Sequence, residues 1–96
     1  MRPFLAMLLL STAALAHTVT LTWQLSPAND AIRQSIYRQV DCTGPWVRRA
    51  NVSTTTVEWV DEHVKDGKTY CYYVSVTTNT KETAASNVAQ AVIPTE

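Results

Sequence analysis

The chain has 96 residues, of which 46% are hydrophobic and 17% are charged, and it contains only two glycines. This length is too short for two ordinary domains, and the apolar content is too high for a disordered tail, so one small globular unit is expected. Eight lysines and arginines balance eight aspartates and glutamates. Without a clustered excess of cations, the sequence offers no electrostatic basis for a nucleic-acid partner or for a polybasic membrane contact.

The first sixteen residues have the layout of a secretory signal peptide. Met1-Arg2-Pro3 places positive charge at the front, residues 4–10 form an uninterrupted apolar run, and Ala14-Leu15-Ala16 puts small residues two positions apart. A membrane-spanning helix is disfavoured because it needs about 20 apolar residues, and this run is shorter. We predict cleavage after Ala16, which leaves a leader, 1–16, and a secreted or periplasmic domain, 17–96, with no membrane span.

The segment after the leader is dense in threonine and valine, which disfavour helix and suit a half-buried pleated surface. Residues 17–25 alternate without a slip, and four of them are predicted to face a core: Val19, Leu21, Trp23 and Leu25. Further strands are predicted at 32–40, 46–52, 57–60, 69–78 and 88–93, with turns at 26–30, 42–45 and 66–67 and a polar loop at 79–87.

The strand at 69–78 is predicted to present two different faces. Tyr70, Tyr72, Val74 and Val76 share one face, and Cys71, Tyr73, Ser75 and Thr77 share the other. Six strands separated by turns at intervals of about 8–12 residues indicate a β-sandwich rather than parallel βαβ units.

Seven short motifs follow one another along the predicted mature chain. They are Val19-Thr20-Leu21-Thr22-Trp23, Ile36-Tyr37-Arg38, Gly44-Pro45-Trp46, Val60-Asp61, the run from Gly67 to Val76, Ser86-Asn87 and Ala91-Val92-Ile93-Pro94. In this order and spacing they resemble a fibronectin type III domain of the kind found in bacterial exported proteins. The resemblance covers essentially the whole mature chain and implies an all-β, immunoglobulin-like β-sandwich of six to seven strands.

By this resemblance, Trp23 is the core tryptophan of the family's second strand. Tyr70 is the tyrosine whose hydroxyl bonds to the backbone a few residues upstream. The expected core residues are Trp23, Tyr70, Leu21, Trp59 and Val74. One departure concerns the family's first strand, because the predicted cleavage site falls directly before the second. Either the mature domain lacks the first strand, or residues before His17 are retained and fill it, or the N-terminus is mis-assigned.

The resemblance also predicts a disulfide between Cys42 and Cys71. In the implied fold the strands that carry them are antiparallel neighbours, and export permits oxidation. By alternation, however, Cys71 points away from the core, whereas Ile36, Val40 and Cys42 share the parity of the core face. The pairing therefore requires a bulge or a turn after Val40.

The sequence shows no catalytic machinery, since it has no Gly-rich phosphate loop, no Gly-x-Ser-x-Gly and no Cys-x-x-Cys motif. It predicts a non-catalytic module with no cofactor and no metal site. A remote alternative is a copper-binding histidine brace, in which His17, N-terminal after cleavage, acts with His63.

Aromatic and basic residues predict a binding surface. Tyr37, Trp46 and Tyr73, with Arg38 and Arg48, are expected on one sheet as a patch suited to sugar rings or to a protein hot spot. The expected partner is an unidentified protein or polysaccharide at the cell envelope. The alternative is that Trp46 packs on a tyrosine as a cover, with the arginines solvated beside it.

Two further hypotheses concern a structural role and glycosylation. A structural spacer, or a self-assembling protein whose exposed sheet edge accepts a strand from another chain, would need no binding face. Asn51-Val52-Ser53 fits an N-glycosylation sequon, but a three-residue match is frequent by chance.

Overall fold

The computed structural model describes residues 10–15, 17–25, 31–79 and 82–95. These residues form β1 (Leu10–Leu15), β2 (Thr18–Trp23), β3 (Ala31–Val40), β4 (Val47–Val52), β5 (Glu58–Asp61), β6 (Thr69–Thr78), β7 (Glu82–Ala85) and β8 (Ala89–Val92). The strand pairs are antiparallel throughout. The predicted turn at 26–30 lies outside the described residues.

The strands form two sheets that enclose one core. A three-stranded sheet has the order β1-β2-β5, and a five-stranded sheet has the order β4-β3-β6-β7, with β8 also paired to β6. Because β8 pairs with the first half of β6 and β7 with the second, the two form one interrupted last strand. Counted in this way the described residues form seven strands, and the predicted all-β sandwich is confirmed.

Strand β1 fills the position of the family's first strand. It pairs with β2 from Leu10, opposite Trp23, to Leu15, opposite Thr18. Ala14 packs against the core from this strand. In the full-length chain β1 covers the edge of β2 on which the strand-accepting hypothesis relied, and cleavage after Ala16 would remove β1. Cleavage after Ala16 stays a prediction, since residues 1–9 and 16 lie outside the described ranges.

The core lies between the two sheets and is built from alternate residues of the strands, as the predicted alternation requires. It consists of Val19, Leu21, Trp23, Ile36, Val64, Tyr70, Tyr72, Val74, Val76, Ala89, Ala91 and Ile93. Four of the five predicted core residues are buried here, and Trp59 is half-buried and packs against the core from β5.

Two predictions about the strands are wrong, because a strand lasts only while a neighbour pairs with it. Leu25, predicted to face the core, is 44% exposed. The ladder of β2 ends with the bond from the Trp23 N–H to the Val57 carbonyl, 3.0 Å long. The polar loop predicted at 79–87 contains β7, which has no apolar alternation and is positioned by main-chain pairing to β6.

Ser86 bridges the interruption between β7 and β8, where the register against β6 slips by one residue. Its N–H donates to the Val74 carbonyl at 2.7 Å, and its Oγ accepts the Val74 N–H at 2.9 Å. The side chain thereby replaces a ladder bond that the slip removes.

Buried polar groups at both ends of the core have partners. Gln34, which is 2% exposed, accepts the Trp23 indole N–H at 2.9 Å. Its Nε2 donates to the Ser53 and Thr56 carbonyls at 2.8 and 2.7 Å. At the other end, the Tyr70 hydroxyl accepts the Lys65 N–H at 2.9 Å, which is the upstream backbone bond that the resemblance implied.

Replacing Gln34 with leucine tests how much this amide contributes to stability. The substitution leaves the Trp23 N–H and two carbonyls without the partner they have now. Since each unsatisfied buried group costs about 1–3 kcal/mol, we expect the free energy of unfolding to fall by at least about 2 kcal/mol. Urea denaturation measures the change, with Gln24→Leu at an exposed position as control. Equal stability of both variants would show that the amide contributes nothing.

Candidate functional site

The outer face of the five-stranded sheet carries the predicted surface residues. In the β3–β6 ladder, Ile36 pairs with Val74 on the core side, so the next pair, Tyr37 with Tyr73, projects outwards. Arg48 of β4 lies opposite Tyr37 and projects from the same side. Tyr37, Trp46, Arg48 and Tyr73 are called the aromatic face below.

Three rings of the aromatic face are in contact with one another. Tyr37 and Tyr73 are stacked, with centroids 4.8 Å apart and planes inclined by 12°. Trp46 meets Tyr73 edge-on at 4.8 Å and 70°. All three side chains are half-buried, so each keeps part of its surface in solvent. The packing that the sequence offered as an alternative is therefore present, and binding concerns the part of the rings that stays exposed.

The turn after β3 brings Trp46 to this face. Asp41 and Cys42 have φ angles of 57° and 56°, in the left-handed region, so the chain leaves the alternation of β3 at this point. The Asp41 N–H still donates to the Thr69 carbonyl at 2.8 Å. Further along, Gln39 Nε2 donates to the Gly44 carbonyl at 2.6 Å and holds the turn against its own strand.

The predicted disulfide between Cys42 and Cys71 is confirmed, with Cα atoms 5.1 Å apart. The two left-handed residues resolve the conflict of parity, because they carry Cys42 out of the β3 alternation to the side on which Cys71 projects. Cys71 lies two residues before Tyr73 in β6, on the same face. The disulfide therefore ties the turn that leads to Trp46 to the strand that carries Tyr73.

Arg38 does not belong to the aromatic face, and its predicted place there is wrong. It shares the parity of Ile36, so alternation turns it towards the opposite sheet, and its side chain is only 13% exposed. Its guanidinium donates to Asp61 Oδ2 at 3.0 Å and to the His63 carbonyl at 2.9 Å. Its Cζ atom also lies 5.0 Å from the centroid of the Tyr70 ring.

Asp61, which the sequence presented only as part of the Val60-Asp61 motif, is the buried counter-charge in this interior cluster. Its side chain is fully buried and also accepts the Tyr72 hydroxyl at 2.7 Å and the His63 N–H at 3.0 Å. Burial alone raises the pKa of Asp61, but these bonds and Arg38 outweigh it and hold the pKa below its ordinary 3.8. Burial and the Asp61 carboxylate raise the pKa of Tyr72, so its hydroxyl stays a donor. The signal available in the sequence was the Val60-Asp61 motif, and in the structure Asp61 stands opposite the core residue Val19.

The two histidines of the brace hypothesis make contacts within the protein. His17, in the turn before β2, has Nδ1 3.1 Å from Asp66 Oδ1. His63 bonds through its main chain to Asp61 and Arg38. Within the described ranges, no three His, Cys, Asp or Glu residues are grouped so that they could hold a metal ion. The same ranges contain no helix with the length and hydropathy needed to cross a membrane.

No protein-family model matches the chain. It is 35% identical over 74 residues to an amylopullulanase from Thermoanaerobacter thermohydrosulfuricus, a match that covers 76% of this chain and 5% of that protein. A Fn3-like protein from Clostridium thermocellum is similar in structure, with a TM-score of 0.70, 27% identity and coverage of 95% of this chain and 97% of the other. Pectate lyase PelI from Erwinia chrysanthemi, in complex with tetragalacturonic acid, matches with a TM-score of 0.78, 23% identity and coverage of 90% and 28%.

The chain is a fibronectin type III-like domain, and the resemblance found in its sequence is confirmed. The sheet orders, the bond of the Tyr70 hydroxyl to the backbone and the likeness over nearly the full length of the Clostridium protein agree on this fold. The chain spans about a twentieth of the amylopullulanase and about a quarter of the pectate lyase chain.

The bonds of buried Asp61 predict that the free energy of unfolding depends on pH in the acid range. Because the pKa of Asp61 is lower in the folded state, its contribution is complete above the ordinary value of 3.8 and is lost as the pH falls through the folded pKa. At pH 7, Asp61→Asn leaves Arg38 without its buried counter-charge and is expected to cost about 3–5 kcal/mol. The two proteins should converge in stability towards pH 2. Urea denaturation across this range measures the effect, with exposed Glu62→Gln as control; a constant difference would contradict the assignment.

Loss of the disulfide is expected to lower stability and to disturb the aromatic face. Closing a loop of 29 residues is worth about 3–4 kcal/mol in the chain-entropy model, so Cys42→Ser with Cys71→Ser should lower the free energy of unfolding by that order. The near-ultraviolet circular dichroism of the Tyr73–Trp46 contact should weaken as well. An unchanged aromatic spectrum in the folded variant would show that the bond does not position Trp46.

Proposed function

We propose that this chain is a non-catalytic, extracellular accessory module that binds carbohydrate through the aromatic face. Its amylopullulanase relative and its pectate lyase neighbour carry the names of carbohydrate-active enzymes, and the chain matches only a small part of each. Such coverage is typical of one module within a larger protein. The Cys42–Cys71 disulfide supports an oxidising, extracellular setting.

The observation that carries the proposal is the cluster of three contacting, half-exposed rings on one sheet face. Tyrosine and tryptophan combine a large apolar surface with a polar edge, which suits a ligand that has apolar faces and hydroxyl groups. Because the rings already hold one another, little side-chain freedom is lost when a ligand packs on them. A preformed sheet face also fits an extended polymer chain.

Polar groups beside the rings complete the surface. Ser35 Oγ donates to Asn51 Oδ1 at 2.8 Å, which orients the exposed Asn51 amide next to the rings. The Ser35–Asn51 pair follows the Tyr37–Arg48 pair along the same side of β3 and β4. A few oriented polar groups among aromatic side chains is the composition of sites that bind small or chain-like ligands.

Replacing Trp46 with alanine tests the proposal. We expect binding to soluble polysaccharide to weaken about tenfold, because a ring that anchors an interface contributes more than about 1 kcal/mol. The loss of stability should stay below about 1.5 kcal/mol, since Trp46 makes one edge-on ring contact and is half-buried. Affinity electrophoresis against starch, a mixed-linkage β-glucan and polygalacturonate measures binding, and thermal denaturation measures stability.

Two control variants test whether the effect depends on an aromatic ring at position 46. Trp46→Phe keeps an aromatic ring and should retain most of the affinity, whereas Val47→Ala changes an exposed neighbour that is not part of the ring cluster and should change nothing. A wild-type protein that none of the polysaccharides retards would overturn carbohydrate binding and favour a spacer. Strong destabilisation by Trp46→Ala with unchanged binding would assign the rings to packing alone.

A further inference from the structure

Exposed cations accompany the rings on the five-stranded sheet. On the outer face of the five-stranded sheet, Arg48 lies opposite Tyr37, and Arg33 lies further along β3 on the same side, opposite Thr77. Both arginines are exposed. The outward positions of β3, β4, β6 and β8 carry no carboxylate and instead hold amides and hydroxyls beside the arginines and rings.

One carboxylate residue shares this sheet, because Glu82 of β7 pairs with Thr77, whose other neighbour is Arg33. The other described carboxylates lie elsewhere. Glu58 and Asp61 belong to β5 of the other sheet, and Glu62 and Asp66 follow in the loop before β6. Asp41, in the turn after β3, has Oδ2 3.7 Å from Lys68 Nζ. Although the chain has no net formal charge, Arg48 of the aromatic face lies among outward positions of β3, β4, β6 and β8 that carry no carboxylate, and Glu82 lies two strands away from Arg33.

We propose that the aromatic face selects an anionic polysaccharide that carries carboxylate groups, a polyuronate. This inference rests on the proposed function and names its substrate class. The planar guanidinium of Arg48 matches a carboxylate through paired hydrogen bonds while the neighbouring rings pack against the sugar. A neutral glycan would pack against the rings but would leave the guanidinium groups hydrated and without a carboxylate partner.

The spacing of the two arginines makes the ligand a polymer rather than a single sugar. Arg33 and Tyr37 are four residues apart on one strand, which separates them by about 13 Å at 3.3 Å per residue. One uronate at the rings can reach Arg48, which pairs with Tyr37, but not Arg33 as well. A linear polyuronate offers further carboxylates along its length, so one chain can contact both cations.

Polygalacturonate and its fully methyl-esterified form make a matched pair of probes, since they share a backbone and differ in carboxylate charge. We expect the purified full chain to bind the acid form at least about tenfold more tightly than the ester, with the preference shrinking as salt is added. Galacturonic acid monomer should compete poorly, and oligomers should compete well. Titration with each probe, followed by intrinsic tryptophan fluorescence and by calorimetry, gives these affinities.

Charge variants distinguish specific contacts of Arg48 and Arg33 from unspecific electrostatic attraction. Arg48→Gln and Arg33→Gln should each weaken binding to polygalacturonate about three- to tenfold, as expected for a partly exposed charge-assisted contact, and should leave binding to the ester unchanged. Lys65→Gln removes the same unit of charge from an exposed loop position and should have no effect. Equal losses for all three variants would overturn the inference in favour of unspecific electrostatics.

The outcomes for this inference and for the proposed function are distinct. Equal affinity for acid and ester, with Trp46→Ala still weakening both, would overturn the preference for uronate and leave carbohydrate binding intact. Retention of neutral starch or β-glucan alone would do the same. Absence of binding to every probe would overturn both proposals together.

Discussion

The antiparallel pairing of β3 with β6 is the constraint on which the rest of the structure depends. Nine residue pairs join the two strands, and the alternation along them assigns each side chain to the core or to the outer face. Ile36 and Val74 enter the core, and the adjacent Tyr37 and Tyr73 project outwards. A slip of one residue would exchange these two sets, burying the tyrosines and exposing the core. The core and the aromatic face are therefore two consequences of a single register.

The interior keeps this register because its polar groups are satisfied only in one arrangement. Gln34 reaches Trp23 of the opposite sheet, and Arg38 reaches Asp61 of the opposite sheet, both from the core side of β3. Each bond joins the two sheets, so sliding one sheet over the other would leave buried polar groups unpaired. A small domain buries a modest fraction of its surface, which gives such cross-sheet bonds a large share in specifying the fold.

The aromatic face depends on the same strands and on one irregular turn. Asp41 and Cys42 take left-handed conformations, the disulfide fixes Cys42 to Cys71, and Gln39 bonds to the Gly44 carbonyl. These three features place Trp46 against Tyr73 instead of leaving it on a free loop. A rigid scaffold thus presents a surface whose rings and arginines need little rearrangement to meet a ligand, which is the basis of the proposed carbohydrate-binding role.

The sequence by itself determined the sandwich class, the strands that carry the core and the bonded cysteines, because alternation, β-branched content and family motifs are local signals. Local signals could not locate β7, whose polar sequence becomes a strand only beside β6, nor the end of β2 at Trp23. The sequence prediction put Arg38 on the binding surface because Arg38 is adjacent to Tyr37. Its parity in β3 is that of the core residue Ile36, so it faces the opposite sheet. Only the tertiary structure decided its pairing with Asp61, the contact of Trp46 with Tyr73 and the position of Arg33 and Arg48 on one sheet face, because these depend on residues distant in sequence meeting across strands.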